Sequence, residues 1–152
     1  MILMGMLSMG MFYMGVNLLA VLVAAAATMV VGFLWYSPLL FGAPWIKLMG
    51  YDPNDKAKME EMRKGAGKLY AISFVCSLLA AMVLGRIIHI ATIHTVLHGV
   101  RIGAGVWLGF VTTVQLTDAL FGRKPFKLYL INTGYQLACF AAMGAILAAW
   151  PG

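Results

Sequence analysis

Apolar residues run along the chain in four stretches, each about as long as a membrane-crossing helix, and polar residues collect in the gaps. The stretches are 16–36, 68–88, 99–121 and 128–150. A bilayer's hydrocarbon core is about 30 Å thick and takes about 20 helical residues. Each stretch is therefore predicted to cross once, which makes the chain an all-α polytopic membrane protein, a bundle of four transmembrane helices over residues 16–152. Asn17 stands where an N-cap belongs in the first span. Ser37-Pro38 ends that span, because the residue before a proline is pushed out of helical geometry.

Between the first two spans lies a connector, 38–67. Residues 39–50 are aromatic and apolar and are expected at the membrane interface. Asp52-Pro53 predicts a cap and first helical position for a short charged helix, NDKAKMEEMRK at 54–64, which Gly65 and Gly67 are placed to break. Residues 89–98 join the second and third spans, and GRKPFK at 122–127 joins the third and fourth.

Composition agrees with this pattern. The chain has 152 residues, 62% of them hydrophobic and only 11% charged, against about 25% charged in an ordinary soluble domain. A soluble core of this size would not hide so much apolar surface, so the lipid bilayer is the expected solvent. The net charge of +6 comes from basic residues in the gaps, which is a topology signal and not a nucleic-acid surface. Lys47, Lys56, Lys58, Arg63, Lys64 and Lys68 follow the first span, and Arg123, Lys124 and Lys127 follow the third. Only Arg86 and Arg101 belong to the other side. This asymmetry predicts a cell's inner membrane with connectors 38–67 and 122–127 in the cytoplasm and both termini outside. Trp35, Tyr36, Trp45, Tyr51, Tyr70, Phe126 and Tyr129 are expected as an inner aromatic belt, with Tyr13 and Trp150 marking the outer one. Cys76 and Cys139 both fall within apolar runs and read as free buried thiols.

Residues 1–15 form an uncharged, methionine-rich extension. They lack the positive segment of a secretory signal. A straight helix over 1–36 would be about 54 Å long, too long for the bilayer core. The extension is expected to lie along the outer interface or to pack against a partner; alternatively, the natural start lies downstream. A short internal similarity joins LFGAPWIKL at 40–48 to LFGRKPFKL at 120–128. It suggests two helix hairpins in the same orientation, a parallel repeat, or the same local answer to ending a helix at an interface.

The segments GFLWYSPLLFGAPWIKLMG (32–50), ALFGRKPFKLYLINTGYQL (119–137) and MGAILAAW (143–150) resemble a bacterial family of small four-helix membrane proteins known only as a domain of unknown function. The resemblance covers most of the chain from Val16 onward. It implies the four-helix architecture and brings no activity or catalytic residue with it. Proteins of that kind begin near Asn17, so residues 1–15 depart from the pattern.

Polar groups within the spans are the natural place to look for function. Gln115 and Asp118 are three apart on the third span; Asn132 and Gln136 are four apart on the fourth, with Tyr135 beside them. The short loop between these spans should bring the groups to similar depth, as a cavity open to the basic side or as hydrogen-bonded glue. Ser73 and Ser77 of the second span are placed to join them. Small residues recur at four-residue steps: Ala24, Thr28 and Gly32, then Gly99 and Gly103, then Gly105 and Gly109. Such runs let helix backbones approach, within the bundle or against a partner. His94 and His98, with a methionine run before Gly15, are the only metal candidates; with no acidic or cysteine ligand nearby, no metal and no cofactor is expected. No catalytic constellation appears. The expected function is therefore non-enzymatic: association of helices as a homo-oligomer or as an accessory subunit of a larger membrane complex. The alternative is an oligomeric transporter or channel that uses the inner polar cluster.

Overall fold

The computed structural model describes residues 15–92 and 95–150. Among them the chain forms six helices and no strand: α1 (Leu18–Trp35), α2 (Gly42–Leu48), α3 (Lys56–Lys64), α4 (Ala66–Ile90), α5 (Val96–Phe121) and α6 (Phe126–Ala149). The helices α1, α4, α5 and α6 are long and apolar enough to cross a membrane. They are the four predicted spans, with no end moved by more than three residues. The extension falls outside the described residues apart from Gly15, as does His94.

Local chemistry explains most boundaries. Asn17 caps α1, its side-chain oxygen accepting from the N–H groups of Leu19 and Ala20. The cap of α3 is Asp55, which accepts from Lys58 N, and not the expected Asp52. The reason is that Asp52 is used one step earlier. Its carboxylate takes the Asn54 N–H at 2.9 Å and its carbonyl the Asp55 N–H, closing a turn over Pro53 before the helix starts. Gly65 ends α3 and begins α4, whereas Gly67 lies inside α4. The turn Trp107–Val111 of α5 is π-helical.

The α5–α6 turn closes α5 with paired bonds from Arg123 N to Leu120 O and from Lys124 N to Ala119 O. This is the Schellman arrangement, but Arg123 and not glycine holds its left-handed position, at φ 49°. The two Leu-Phe-Gly segments differ in conformation: Phe41 precedes the short helix α2, while Phe121 is the last residue of a span.

Helix α6 is the hub. It packs against α1, α4 and the first half of α5, and α1 also packs against α4. The tight core lies at the end remote from the basic connectors and consists of Val21, Ala24, Ala81, Leu84, Ile88, Met143 and Ala148. Glycines set the spacing there. A Cβ on Gly99 would run into the Gly144 carbonyl, and one on Gly103 into the Phe140 carbonyl, so α5 and α6 meet backbone to backbone. Towards the basic end α5 touches α6 much less, and the bundle loosens.

Candidate functional site: the aromatic and polar end of the bundle

At the loosened end, aromatic side chains from α1 and α2 turn inward onto α6. The Trp35 indole donates to Ile131 O at 3.0 Å, and the Trp107 indole of α5 donates to Thr133 O at 2.9 Å. Asn132 Oδ1 accepts from the Tyr36 hydroxyl at 3.0 Å and from the Trp45 indole at 3.2 Å. Trp35, Tyr36 and Trp45 are therefore half-buried pieces of the bundle and not an outward belt. An indole or phenol facing lipid without a partner would forfeit its hydrogen bond, and α6 offers acceptors at the right depth. Glycines make the room: Gly32 faces the Tyr135 ring, and Gly134 faces Trp35.

A second polar chain ties α5 to α6. Thr133 Oγ1 donates to Thr112 Oγ1 at 2.8 Å, and Thr112 is 2.6 Å from the Tyr129 hydroxyl. Both threonines are buried. Thr28, also buried, lies 2.9 Å from Ser77 Oγ and so joins α1 to α4. Ser77 thus belongs to that contact and not to the polar cluster.

The predicted cluster divides. Gln115, Asp118 and Asn132 share a small cleft of about 130 Å³ between α5 and α6, together with Lys124 and Tyr129. Asp118 and Lys124 form an exposed ion pair at 2.5 Å at its mouth. Gln115 Oε1 is buried and has no hydrogen-bond partner among the described residues. Tyr135 instead reaches across α6, its hydroxyl donating to Thr28 O at 3.4 Å and its ring beside Tyr36. It lines a larger cleft of about 370 Å³ bounded by α1, α2, α3 and α4. Gln136 lines neither cleft.

Of the small residues, Ala24 and Thr28 are buried and Gly32 receives Tyr135, while Gly99 and Gly103 meet α6. A Cβ on Gly105 or Gly109 would meet no atom within 4 Å, and both glycines face outward. His98 sits in the first turn of α5, where its N–H is capped by Thr95. The inward role of Trp35, Tyr36 and Trp45 was not predicted: on α6 the polar Asn132 and the small Gly134 stand within one turn of each other, an acceptor beside a space for a ring, but only the fold sets them opposite these aromatics.

A family model described as a protein of unknown function (DUF1761) matches residues 19–148. No curated protein and no solved structure matches the chain.

Proposed function

The chain belongs to the DUF1761 family, and we propose that it is a non-enzymatic membrane protein that works by helix association, as a homo-oligomer or an accessory subunit. One observation carries this reading. Arg101, Gly105, Gly109, Thr113 and Thr117 recur every four residues along α5, and all are exposed. A four-residue step overshoots a 3.6-residue turn by about 40°. The π-helical turn Trp107–Val111 adds one residue to its turn, about 100° in the opposite sense, which offsets two such steps. The bulge thus keeps the small residues on one stripe. The Thr113 and Thr117 hydroxyls bond back to carbonyls of their own helix, which leaves a smooth groove that a second helix backbone can approach closely. Among the four spans α5 is also the least buried.

The same reading puts the protein in a bacterial inner membrane, with 38–67 and 122–127 in the cytoplasm and both termini outside, on the charge asymmetry alone. The test is Gly109→Leu in the full chain. No atom stands near a Cβ there, so the fold should survive while native mass spectrometry shows the complex falling apart. A complex of unchanged size and composition would remove the proposal.

A specific observation favours the alternative of an oligomeric transporter or channel: the unpartnered Gln115 Oε1 in the cleft beside Asp118. A symmetric ring with Gln115 and Asp118 on its axis in a particle image would favour that reading over an accessory role.

A further inference from the structure

The larger cleft lies on the side of the bundle that α5 does not line. Met29 and Phe33 of α1, Trp45 of α2, Met62 of α3, and Tyr70 and Ser73 of α4 form much of its wall. Its volume, about 370 Å³, falls in the range of about 300–1,000 Å³ typical of small-molecule pockets. Phe33 and Tyr70 make its lip, with ring centroids 5.4 Å apart, and are 60% and 52% exposed. The lip sits between two spans, so it opens sideways to lipid. The phenols at the back are committed, Tyr36 to Asn132 and Tyr135 to Thr28 O. Apart from the Ser73 hydroxyl, what remains within the cleft is mainly apolar surface.

The elements that form its wall also carry basic residues. Lys47 follows Ile46 in α2, Arg63 follows Met62 in α3, and Lys68 stands two residues before Tyr70 in α4; all three are exposed. Among the described residues the connector holds a single ion pair, Asp55–Lys58, which leaves these three cations uncommitted. Two of the four connector acids, Asp52 and Asp55, are occupied by backbone N–H groups. Basic clusters beside membrane spans attract anionic lipid headgroups.

We propose that this cleft seats one anionic phospholipid, an acyl chain lying between α1 and α4 under the roof of α2 and α3, with the phosphate held by Lys47, Arg63 and Lys68. An apolar slot open to the bilayer, walled by elements that carry unpaired cations, matches an amphiphile carrying a negative head. It does not match a water-soluble anion, for which the slot offers nothing.

The test is native mass spectrometry of the full chain, delipidated in detergent and titrated with phosphatidylglycerol or with phosphatidylcholine of the same acyl chains. One phosphatidylglycerol per chain should bind in preference. The triple variant Lys47→Ala, Arg63→Ala, Lys68→Ala should weaken that binding by about fivefold for each residue removed and leave phosphatidylcholine unchanged. Ser73→Phe, which fills the slot from α4, should reduce retention of both lipids, and circular dichroism reports whether it folds. Glycerol phosphate should not displace the bound lipid. Equal binding of the two lipids by the unaltered protein, a preference that survives the triple variant, full retention by a folded Ser73→Phe, or displacement by glycerol phosphate would each overturn the proposal. Should Ser73→Phe fail to fold, the triple variant, confined to exposed side chains, decides alone.

Discussion

Trp35 and Gly134 fit one another: a Cβ on Gly134 would stand 3.1 Å from Cζ2 of the indole, whose N–H donates to Ile131 O three residues away on the same helix. The same exchange runs the other way between Gly32 and Tyr135. Each helix gives up a side chain where the other inserts a ring, and each ring finds its acceptor on the opposite helix. The pairing of α1 with α6 therefore rests on shape and hydrogen bonding together. In lipid, where apolar contact between helices gains little over contact with acyl chains, these are the terms that decide packing.

Glycine substitutions should separate packed from open positions. Gly99→Ala places a methyl group against the Gly144 carbonyl, and overpacking of this kind costs about 1–3 kcal/mol. Gly105→Ala meets nothing within 4 Å and gains about 1 kcal/mol of helix propensity. Thermal unfolding in detergent should show a clear loss for the first and no loss for the second. Equal behaviour would mean that α5 does not pack on α6 through Gly99.

Asn132 is predicted to hold α1, α2 and α6 together. Asn132→Leu strands the Tyr36 hydroxyl and the Trp45 indole, which both donate to its side-chain oxygen. A double-mutant cycle with Tyr36→Phe should give a coupling of about 0.6–1.7 kcal/mol, the scale found for hydrogen bonds between membrane helices. A coupling of zero would show that the two groups do not interact.

Part of this architecture is legible in the sequence. The four spans were legible because lipid demands long apolar helices, and no other pattern satisfies the backbone there. The Asn17 cap followed from residue type and position. The inward turn of Trp35, Tyr36 and Trp45 was not legible, because an aromatic at a span's end reads equally as a lipid-facing belt. Only the position of Asn132, Gly134 and the Ile131 carbonyl on a neighbouring helix decides between them. The division of the polar groups was hidden for a similar reason. Tyr135 and Gln136 lie on α6 beside Asn132, but the 100° turn per residue sends Tyr135 to α1 and away from the Gln115 cleft.

Arg123 offers a gain in stability. It holds a left-handed backbone, φ 49°, at the position where a Schellman turn favours glycine. Left-handed geometry costs a non-glycine residue about 1–2 kcal/mol. Arg123→Gly should raise the unfolding midpoint and leave the Asp118–Lys124 pair in place. A lowered midpoint would show that the Arg123 side chain contributes more than its backbone strain costs.

Topology is open to a direct test. A reporter active only in the cytoplasm should be silent when fused after Gly152 and active when inserted beside Asn54, in the exposed turn before α3. The prediction follows from nine basic residues in or directly beside the two connectors against Arg86 and Arg101 on the other side. A cytoplasmic signal from the terminal fusion would reverse the orientation and move the lipid cleft to the opposite leaflet.

Gln115 should behave in the opposite way to Asn132, although both are amides within spans. Asn132 Oδ1 has two donors, and Gln115 Oε1 is buried with none among the described residues. A buried acceptor without a partner costs about 1–3 kcal/mol of desolvation. Gln115→Leu removes that atom while keeping most of the side chain's bulk. The unfolding midpoint in detergent should therefore stay level or rise, where Asn132→Leu lowers it. A residue kept at a cost to the fold points to use of the cleft it lines, beside Asp118 and Lys124. If Gln115→Leu instead destabilises the protein as much as Asn132→Leu does, then Gln115 is structural glue and the transport reading loses its one specific support.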